Sequence, residues 1–116
     1  MAEQPQTLTV PQALDLAAQH HRAGRLTNAE DIYQQELQTE PDQPAAIHML
    51  GVLAYQAGKN ERAVELISRA LELQPDLVEA HNNLGLVLQR LGRVQSAKSS
   101  YQKAIDLNER LSLIHI

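Results

Sequence analysis

Residues 79–107, EAHNNLGLVLQRLGRVQSAKSSYQKAIDL, place two helix-like apolar segments on either side of a glycine. The same arrangement recurs at earlier positions in steps of 34 residues. The columns that keep this step are Gly24, Gly58 and Gly92; Ala29, Ala63 and Ala97; Leu16, Leu50 and Leu84; and Leu37, Leu71 and Ile105. Self-similarity at a period of this size is the signature of a repeat architecture. We therefore predict three repeats of 34 residues.

Each repeat is predicted to contain two helices. In the second repeat, Pro44 suits a first helical turn because its missing N–H costs nothing there. Ile47, Leu50 and Leu53 follow at helical spacing, and Gly58 supplies a left-handed stop. Helices are expected at 10–23, 28–40, 43–57, 60–74, 77–91 and 93–108. Side-chain caps are expected from Thr9, Thr27, Asp42, Asn60 and Asp76.

The composition supports an all-α fold in a single domain. The chain has 116 residues, no Trp or Phe, and three Tyr as its only aromatic residues. Leu and Ala dominate, and both are strong helix formers. The aromatic and β-branched enrichment that is typical of sheets is missing.

Charge and cysteine usage exclude several kinds of partner. The net charge is −4, whereas nucleic-acid binders carry basic faces, so a nucleic-acid partner is not expected. No apolar stretch is long enough for a membrane span, so no membrane partner is expected either. The absence of cysteine and of a basic, apolar leader favours a cytoplasmic location.

The search for catalytic motifs finds none, so we expect a binding module that is not an enzyme and has no cofactor. HExxH, GxSxG, Walker and dinucleotide glycine motifs are all missing. His20 and His21 are neighbours in sequence and point about 100° apart on a helix, so they cannot chelate a metal together. His81 is expected to fill the core, and His48 to be solvated. No metal site is predicted.

The spacing of the packing residues resembles tetratricopeptide repeats, whose pattern is Trp-x-x-Leu-Gly-x-x-Tyr, Ala-x-x-x-Phe and Pro. The third repeat supplies His81, Leu84, Gly85, Leu88, Ala97 and Tyr101; the second supplies Ile47, Leu50, Gly51, Ala54, Ala63, Ile67 and Pro75; the first supplies Ala13, Leu16, Ala17, His20, Ala29, Tyr33 and Pro41. The resemblance implies an α-solenoid of three helix–turn–helix repeats, about 10–43, 44–77 and 78–110. Its six antiparallel helices would form a right-handed superhelix.

The resemblance also implies a concave face formed by the first helix of each repeat, where such proteins bind a peptide or a partner segment. We call the following set the predicted groove: Leu14, Asp15, Ala18, His21, Arg22, His48, Met49, Val52, Tyr55, Gln56, Asn82, Asn83, Leu86, Gln89 and Arg90. For Ala18, Val52 and Leu86, packing between repeats is an equal alternative. Self-association through an uncapped third repeat is a further alternative.

Two uses of such a groove can be compared by their residues. The family's carboxylate clamp needs Lys, Arg and Asn at positions that hold Leu14, Ala18, Met49, Glu79 and Asn83 here, so this use is not expected. An asparagine ladder that grips a peptide backbone would place Asn83 at one rung. Residues 79–85, EAHNNLG, resemble repeats found before protein N-acetylglucosaminyltransferases and their bacterial relatives. The alternative function is therefore a substrate-recruiting arm of a larger glycosyltransferase or sulfotransferase.

The two ends are expected to lie outside the repeats. Residues 1–9 are polar and are expected to be disordered. Residues 111–116, LSLIHI, match the in-frame translation of a transposon end used in DNA library preparation. We therefore expect them to be a non-native tail at a truncation of a longer protein.

Overall fold

The described part of the chain folds into six α-helices arranged as three helix pairs. The computed structural model describes residues 8–114. Its helices are α1 (Val10–Arg22), α2 (Leu26–Thr39), α3 (Pro44–Gln56), α4 (Asn60–Leu73), α5 (Val78–Arg90) and α6 (Val94–Ile114). No strand occurs in this part of the chain. The prediction of an all-α fold with two helices in each 34-residue repeat is confirmed.

The helix pairs stack in sequence order to form a solenoid. α1 packs on α2, α3 on α4 and α5 on α6, while α2–α3 and α4–α5 contacts join successive pairs. The first helices also meet directly where α3 contacts α5. The molecule measures 59 × 39 × 25 Å. Each repeat is therefore held mainly by its immediate neighbours, as in other one-dimensional repeat proteins.

A glycine with a positive φ ends the first helix of every repeat. Gly24, Gly58 and Gly92 have φ of 81°, 79° and 79°. In the second repeat, Lys59 N donates to Ala54 O across 2.8 Å, the bond that defines a Schellman turn. Because L-residues with a Cβ are strained at this φ, the glycine column fixes where each helix pair turns.

Small residues allow the two helices of a pair to approach closely. Ala29 and Ala63 are fully buried at the start of their second helices. A Cβ on Gly51 would lie 2.6 Å from Ile67 Cγ1, which is closer than such atoms come in real structures. The Ile67 side chain thus occupies the space that Gly51 leaves open. The close packing of α3 on α4 depends on both residues.

The helix N-termini differ from the predicted caps in most repeats. Thr9 and Gln12 form the expected capping box at α1. The prediction is wrong for Thr27 and Asn60, because α2 already begins at Leu26 and α4 at Asn60 itself. It is also wrong for Asp76, because Leu77 is the residue that precedes α5 and no side chain caps that helix. The Schellman turns lead into the second helices within two residues, so no extended cap residue fits there.

The connection between the first and second repeats also differs from its predicted cap. Asp42 does not cap α3; its carboxylate lies 3.6 Å from the guanidinium of exposed Arg69. Gln43 precedes the helix instead, and its Nε2 donates to the carbonyl oxygens of Glu36 and Glu40 across 2.9 and 3.1 Å. The buried amide therefore adds a second donor to Glu36 O, which already accepts from Glu40 N, and it pairs the carbonyl group of Glu40 just beyond the end of α2.

Helix α6 is longer than predicted. Its expected end was residue 108, but it continues to Ile114. Pro41 and Pro75 follow α2 and α4, whereas the same register of the third repeat holds Glu109, which can remain helical and lies within α6. The prediction of a non-native tail is untested for 111–114, and residues 115–116 lie outside the described part, as do residues 1–7 of the N-terminal segment.

Candidate functional site

The predicted groove residues lie on α1, α3 and α5 and differ in exposure. The exposed members are Asp15, Arg22, Gln56, Asn82, Leu86, Gln89 and Arg90; the half-buried members are Leu14, Ala18, His21, Met49, Val52, Tyr55 and Asn83. Only His48 among these residues is buried, with 6% of its surface exposed. Most of the set is thus available to solvent, whereas some members contribute to packing between the repeats.

Side-chain contacts join the three first helices at one constant sequence separation of 35 residues. They are His21 Nε2–Gln56 Oε1 at 2.8 Å, Asn83 Nδ2–His48 Nε2 at 2.9 Å and Arg90 NH2–Tyr55 OH at 3.2 Å. A separation of one repeat plus one residue carries each contact from one first helix to the next. The polar side chains of α1, α3 and α5 therefore form one connected surface.

His48 lies between α3 and α5 and not in solvent, so the expectation of a solvated residue is wrong. Its Nε2 accepts a hydrogen bond from Asn83, which requires that nitrogen to be unprotonated. Burial lowers the pKa of His48, and the negative charge of Glu79 partly opposes this effect. His48 is consequently a neutral component of the junction between the second and third repeats.

The apolar members divide between the core and the surface. Leu14 and Met49 pack against the core cluster shared by the first two repeats. Ala18, Val52 and Leu86 occupy one register along the three helices, and Leu86 is 40% exposed. The surface offers a row of apolar side chains that increase in size from the first repeat to the third.

At the end of α5, Arg90 contacts Tyr55 of α3. The guanidinium carbon of Arg90 lies 5.4 Å from the centre of the Tyr55 ring, in a cation–π contact. Next to it, Gln89 Oε1 accepts a hydrogen bond of 2.9 Å from the hydroxyl of Tyr101 on α6. Sequence reasoning placed Tyr101 only as a packing residue and missed this contact, for which the sequence contains no signal.

A cavity of about 700 Å³ lies between α5 and α6. It is lined by Val78, Glu79, Asn82, Asn83, Tyr101, Ala104, Ile105 and Asn108. Ile105 is 51% exposed, whereas Leu37 and Leu71 in the same register pack against core clusters that span two successive repeats. The 34-residue register could have identified this face, although the predicted groove included only Asn82 and Asn83 from it. Self-association through this repeat remains a prediction.

The remaining histidines each have their own hydrogen-bond partner. His20 Nδ1 accepts from Arg25 Nε across 2.8 Å, and His81 Nε2 donates to the carbonyl oxygen of Pro75 across 2.8 Å. His81 is buried, as expected for a residue that fills the core. Within residues 8–114, no group of three or more His, Cys, Asp or Glu side chains could hold a metal ion. None of the helices described is long and apolar enough to cross a bilayer.

The stacked helix pairs and their connected polar surface define a helical-repeat interaction module. Family models described as TPR repeat and tetratricopeptide repeat match residues 51–92 and 78–111, which together cover more than half of the chain. The chain belongs to the tetratricopeptide-repeat family, and the resemblance inferred from the sequence is confirmed. This fold is in general a non-catalytic module for protein interaction. Among curated protein sequences, none matches the chain.

Solved structures of similar fold come from proteins of several kinds. MamA matches with a TM-score of 0.78 and 19% identity, over 88% of this chain and 60% of its own. The first TPR of Spaghetti (RPAP3), bound to the HSP90 peptide SRMEEVD, matches with a TM-score of 0.77 and 18% identity, over 82% of this chain and 75% of its own. The O-GlcNAc transferase of Thermobaculum terrenum matches with a TM-score of 0.82 and 31% identity, over 87% of this chain but only 20% of its own.

Proposed function

We propose that the chain is a protein-interaction scaffold that binds a peptide or partner segment in the predicted groove. The observation that carries this proposal is the set of 35-residue contacts between α1, α3 and α5. These contacts hold the polar side chains of three helices in fixed positions before any partner arrives. A preorganised surface loses less side-chain entropy on binding, so more of the contact energy appears as affinity.

The chemistry of the exposed residues suits an extended segment. Asn82, Gln56 and Gln89 carry amides, which can hydrogen-bond to the N–H and C=O groups of a peptide backbone. Leu86 and Val52 add apolar contact area beside them. A surface with both properties can bury apolar side chains of the partner and pair its backbone at the same time.

A display library of random peptides tests this proposal. Peptides are selected on the unmodified chain, and their affinities are then measured for Leu86→Asp. Leu86 is exposed, so this variant is expected to fold normally while placing a charge in the apolar row. We expect a loss of at least about tenfold in affinity, the equivalent of roughly 1.4 kcal/mol.

The matched control is Val94→Asp, which makes the same kind of change at an exposed position on α6. Binding should be unaffected by this substitution. If both variants bind the selected peptides as well as the unmodified chain does, the groove assignment is wrong. Thermal unfolding of both variants confirms that any loss of binding does not come from loss of fold.

A second candidate function is the recruiting arm of a larger glycosyltransferase or sulfotransferase. It is favoured by the 31% identity with the O-GlcNAc transferase, of whose chain this one spans about a fifth. The gene sequence downstream of codon 110, read from unamplified genomic DNA, tests this alternative. An in-frame domain that binds a nucleotide sugar or a sulfonucleotide would support it. An in-frame stop codon directly after LSLIHI would contradict it.

A further inference from the structure

We infer that the segment bound in the predicted groove presents carboxylate side chains to one edge of it, and this inference rests on the function proposed above. The edge lies at the C-terminal ends of the three first helices, and we call it the donor row. It consists of His21, Arg22, Tyr55, Gln56, Gln89 and Arg90, three pairs spaced by one repeat each.

Hydrogen bonds already occupy one of the two lone pairs on each amide oxygen of the donor row. Gln56 Oε1 accepts from His21 Nε2, and Gln89 Oε1 accepts from the hydroxyl of Tyr101. The NH₂ groups of both amides keep their donor hydrogens for an external partner. The hydroxyl oxygen of Tyr55 likewise accepts from Arg90, which leaves the Tyr55 hydrogen to be donated elsewhere. The groups left free are therefore mainly donors.

The charges of the donor row also favour an anionic partner. Arg22 and Arg90 are exposed and positive, and α3 between them carries no Asp, Glu, Lys or Arg. The acidic residues of α1 and α5 are Asp15 and Glu79. At 1.5 Å per residue, they lie about 10 Å and about 16 Å along the helix from the arginine of the same helix. No carboxylate of these helices therefore neutralises the row.

A carboxylate fits this arrangement better than a peptide backbone does. A backbone offers equal numbers of donors and acceptors, whereas an ionised carboxylate only accepts and can pair with both arms of a guanidinium. Stacking on Tyr55 holds the guanidinium of Arg90 in place, so little side-chain freedom remains to be lost when a carboxylate binds. The row is also separate from the positions of the family's carboxylate clamp, which hold residues such as Met49 and Glu79.

The spacing of the helices sets the spacing of the carboxylates. Side-chain contacts of 2.8–3.2 Å join neighbouring first helices, whose backbones pack mainly on second helices. The roughly 8–10 Å between the axes of directly packed helices is therefore the smallest separation of two first helices. An extended chain rises roughly 3.3 Å per residue, so it needs at least about three residues to cross from one first helix to the next. The inferred partner is therefore an extended segment with Asp or Glu at every third position, and its intervening apolar side chains contact Val52 and Leu86.

Synthetic fluorescein-labelled peptides provide the test. One peptide has Glu at every third position with Leu and Ala between, and two others have Gln or Lys in place of Glu. Fluorescence polarisation at low salt is expected to show that the Glu peptide binds at least about tenfold more tightly than the Gln peptide. Raising the salt concentration should weaken the binding of the Glu peptide most.

Substitutions identify the residues responsible. Arg90→Ala should remove most of the preference for Glu over Gln, and Arg90→Lys should retain only part of it because the planar fork is lost. Arg62→Ala is the matched control, since it removes an exposed arginine that pairs with Glu65 on the same helix. This control should keep the full preference.

Three results would overturn the inference. The first is equal binding of the Glu and Gln peptides, the second is an unchanged preference in Arg90→Ala, and the third is no binding of any of these peptides. The Glu and Gln peptides could bind the unmodified chain equally well and both lose binding in Leu86→Asp. In that case the groove assignment is correct and only the inferred preference for carboxylates is wrong. The library selection tests the groove independently of all three.

Discussion

Asn83 on α5 donates a hydrogen bond of 2.9 Å to Nε2 of His48 on α3, and this contact ties the third repeat to the second. The imidazole is almost fully enclosed, so it depends on this partner to satisfy its nitrogen. The bond exists only while His48 Nε2 is unprotonated. The junction between the two repeats is therefore sensitive to protonation.

The first prediction concerns the pH dependence of stability. Burial lowers the pKa of His48 from its ordinary 6.5. Below about pH 6.5 the unfolded chain takes up a proton at this position that the folded chain does not bind, so stability falls with falling pH until His48 also protonates in the folded state. Urea unfolding at about pH 7.5 and about pH 5.5 should show a smaller loss for His48→Gln than for the unmodified chain.

A matched control for this experiment is Asn83→Ala, which removes the hydrogen bond at the α3–α5 junction but keeps the buried histidine. It should lose more free energy of unfolding on acidification than His48→Gln does, because burial is the main cause of the lowered pKa of His48. If His48→Gln and the unmodified chain lose the same free energy of unfolding on acidification, the lowered pKa of His48 has no consequence for folding.

The second prediction concerns the close contact of Gly85 with Tyr101. A Cβ at Gly85 would lie 2.6 Å from Tyr101 Cε1, so the ring must move and its bond to Gln89 is lost. We expect Gly85→Ala to destabilise the fold, because overpacking costs roughly 1–3 kcal/mol and the gain in helix propensity is only about 1 kcal/mol. Chemical unfolding should show that Tyr101→Leu, added to Gly85→Ala, recovers part of the lost free energy of unfolding. If the free-energy changes of the two substitutions simply add in the double variant, this account is contradicted.

The third prediction separates the two contributions of His81, which is 8% exposed and donates to the Pro75 carbonyl. His81→Phe keeps the ring volume but loses the hydrogen bond, and it should cost about 1 kcal/mol. His81→Ala also leaves a cavity and should cost more, roughly 2–4 kcal/mol. Thermal unfolding of the unmodified chain and the two variants should give this order of stability. If the Phe variant is as stable as the unmodified chain, the bond to Pro75 contributes nothing.

The fourth prediction concerns the end of α6. Glu109→Pro places a proline at the position that Pro41 and Pro75 occupy after α2 and α4. This proline should end α6 near residue 108. Far-ultraviolet circular dichroism should show a small loss of helix, while the unfolding midpoint changes little because residues 109–113 are exposed. Glu109→Ala, which keeps the helix, is the control. An unchanged helix content in the Pro variant would show that these residues are not helical in solution.

Much of the architecture followed from local features of the sequence. The glycine column predicted the three turns because a positive φ is a requirement of the backbone itself, and it is visible at Gly58 without knowledge of any neighbour. Pro44 marked the start of α3 for a similar reason. The small residues Gly51 and Gly85 marked the close helix contacts, although their bulky partners came from the repeat register.

The sequence by itself thus determined the period, the helix pairs and the order in which they stack. The tertiary structure decided how deeply each side chain is buried and which atoms it meets. His48 and Asn82 occupy the same register, yet one is enclosed by α5 and the other is exposed. Tyr101 reaches Gln89, and Tyr55 holds Arg90, only because the helices pack at a particular distance and angle. Burial and hydrogen-bond partners depend on residues far apart in sequence, and the local pattern contains no information about them.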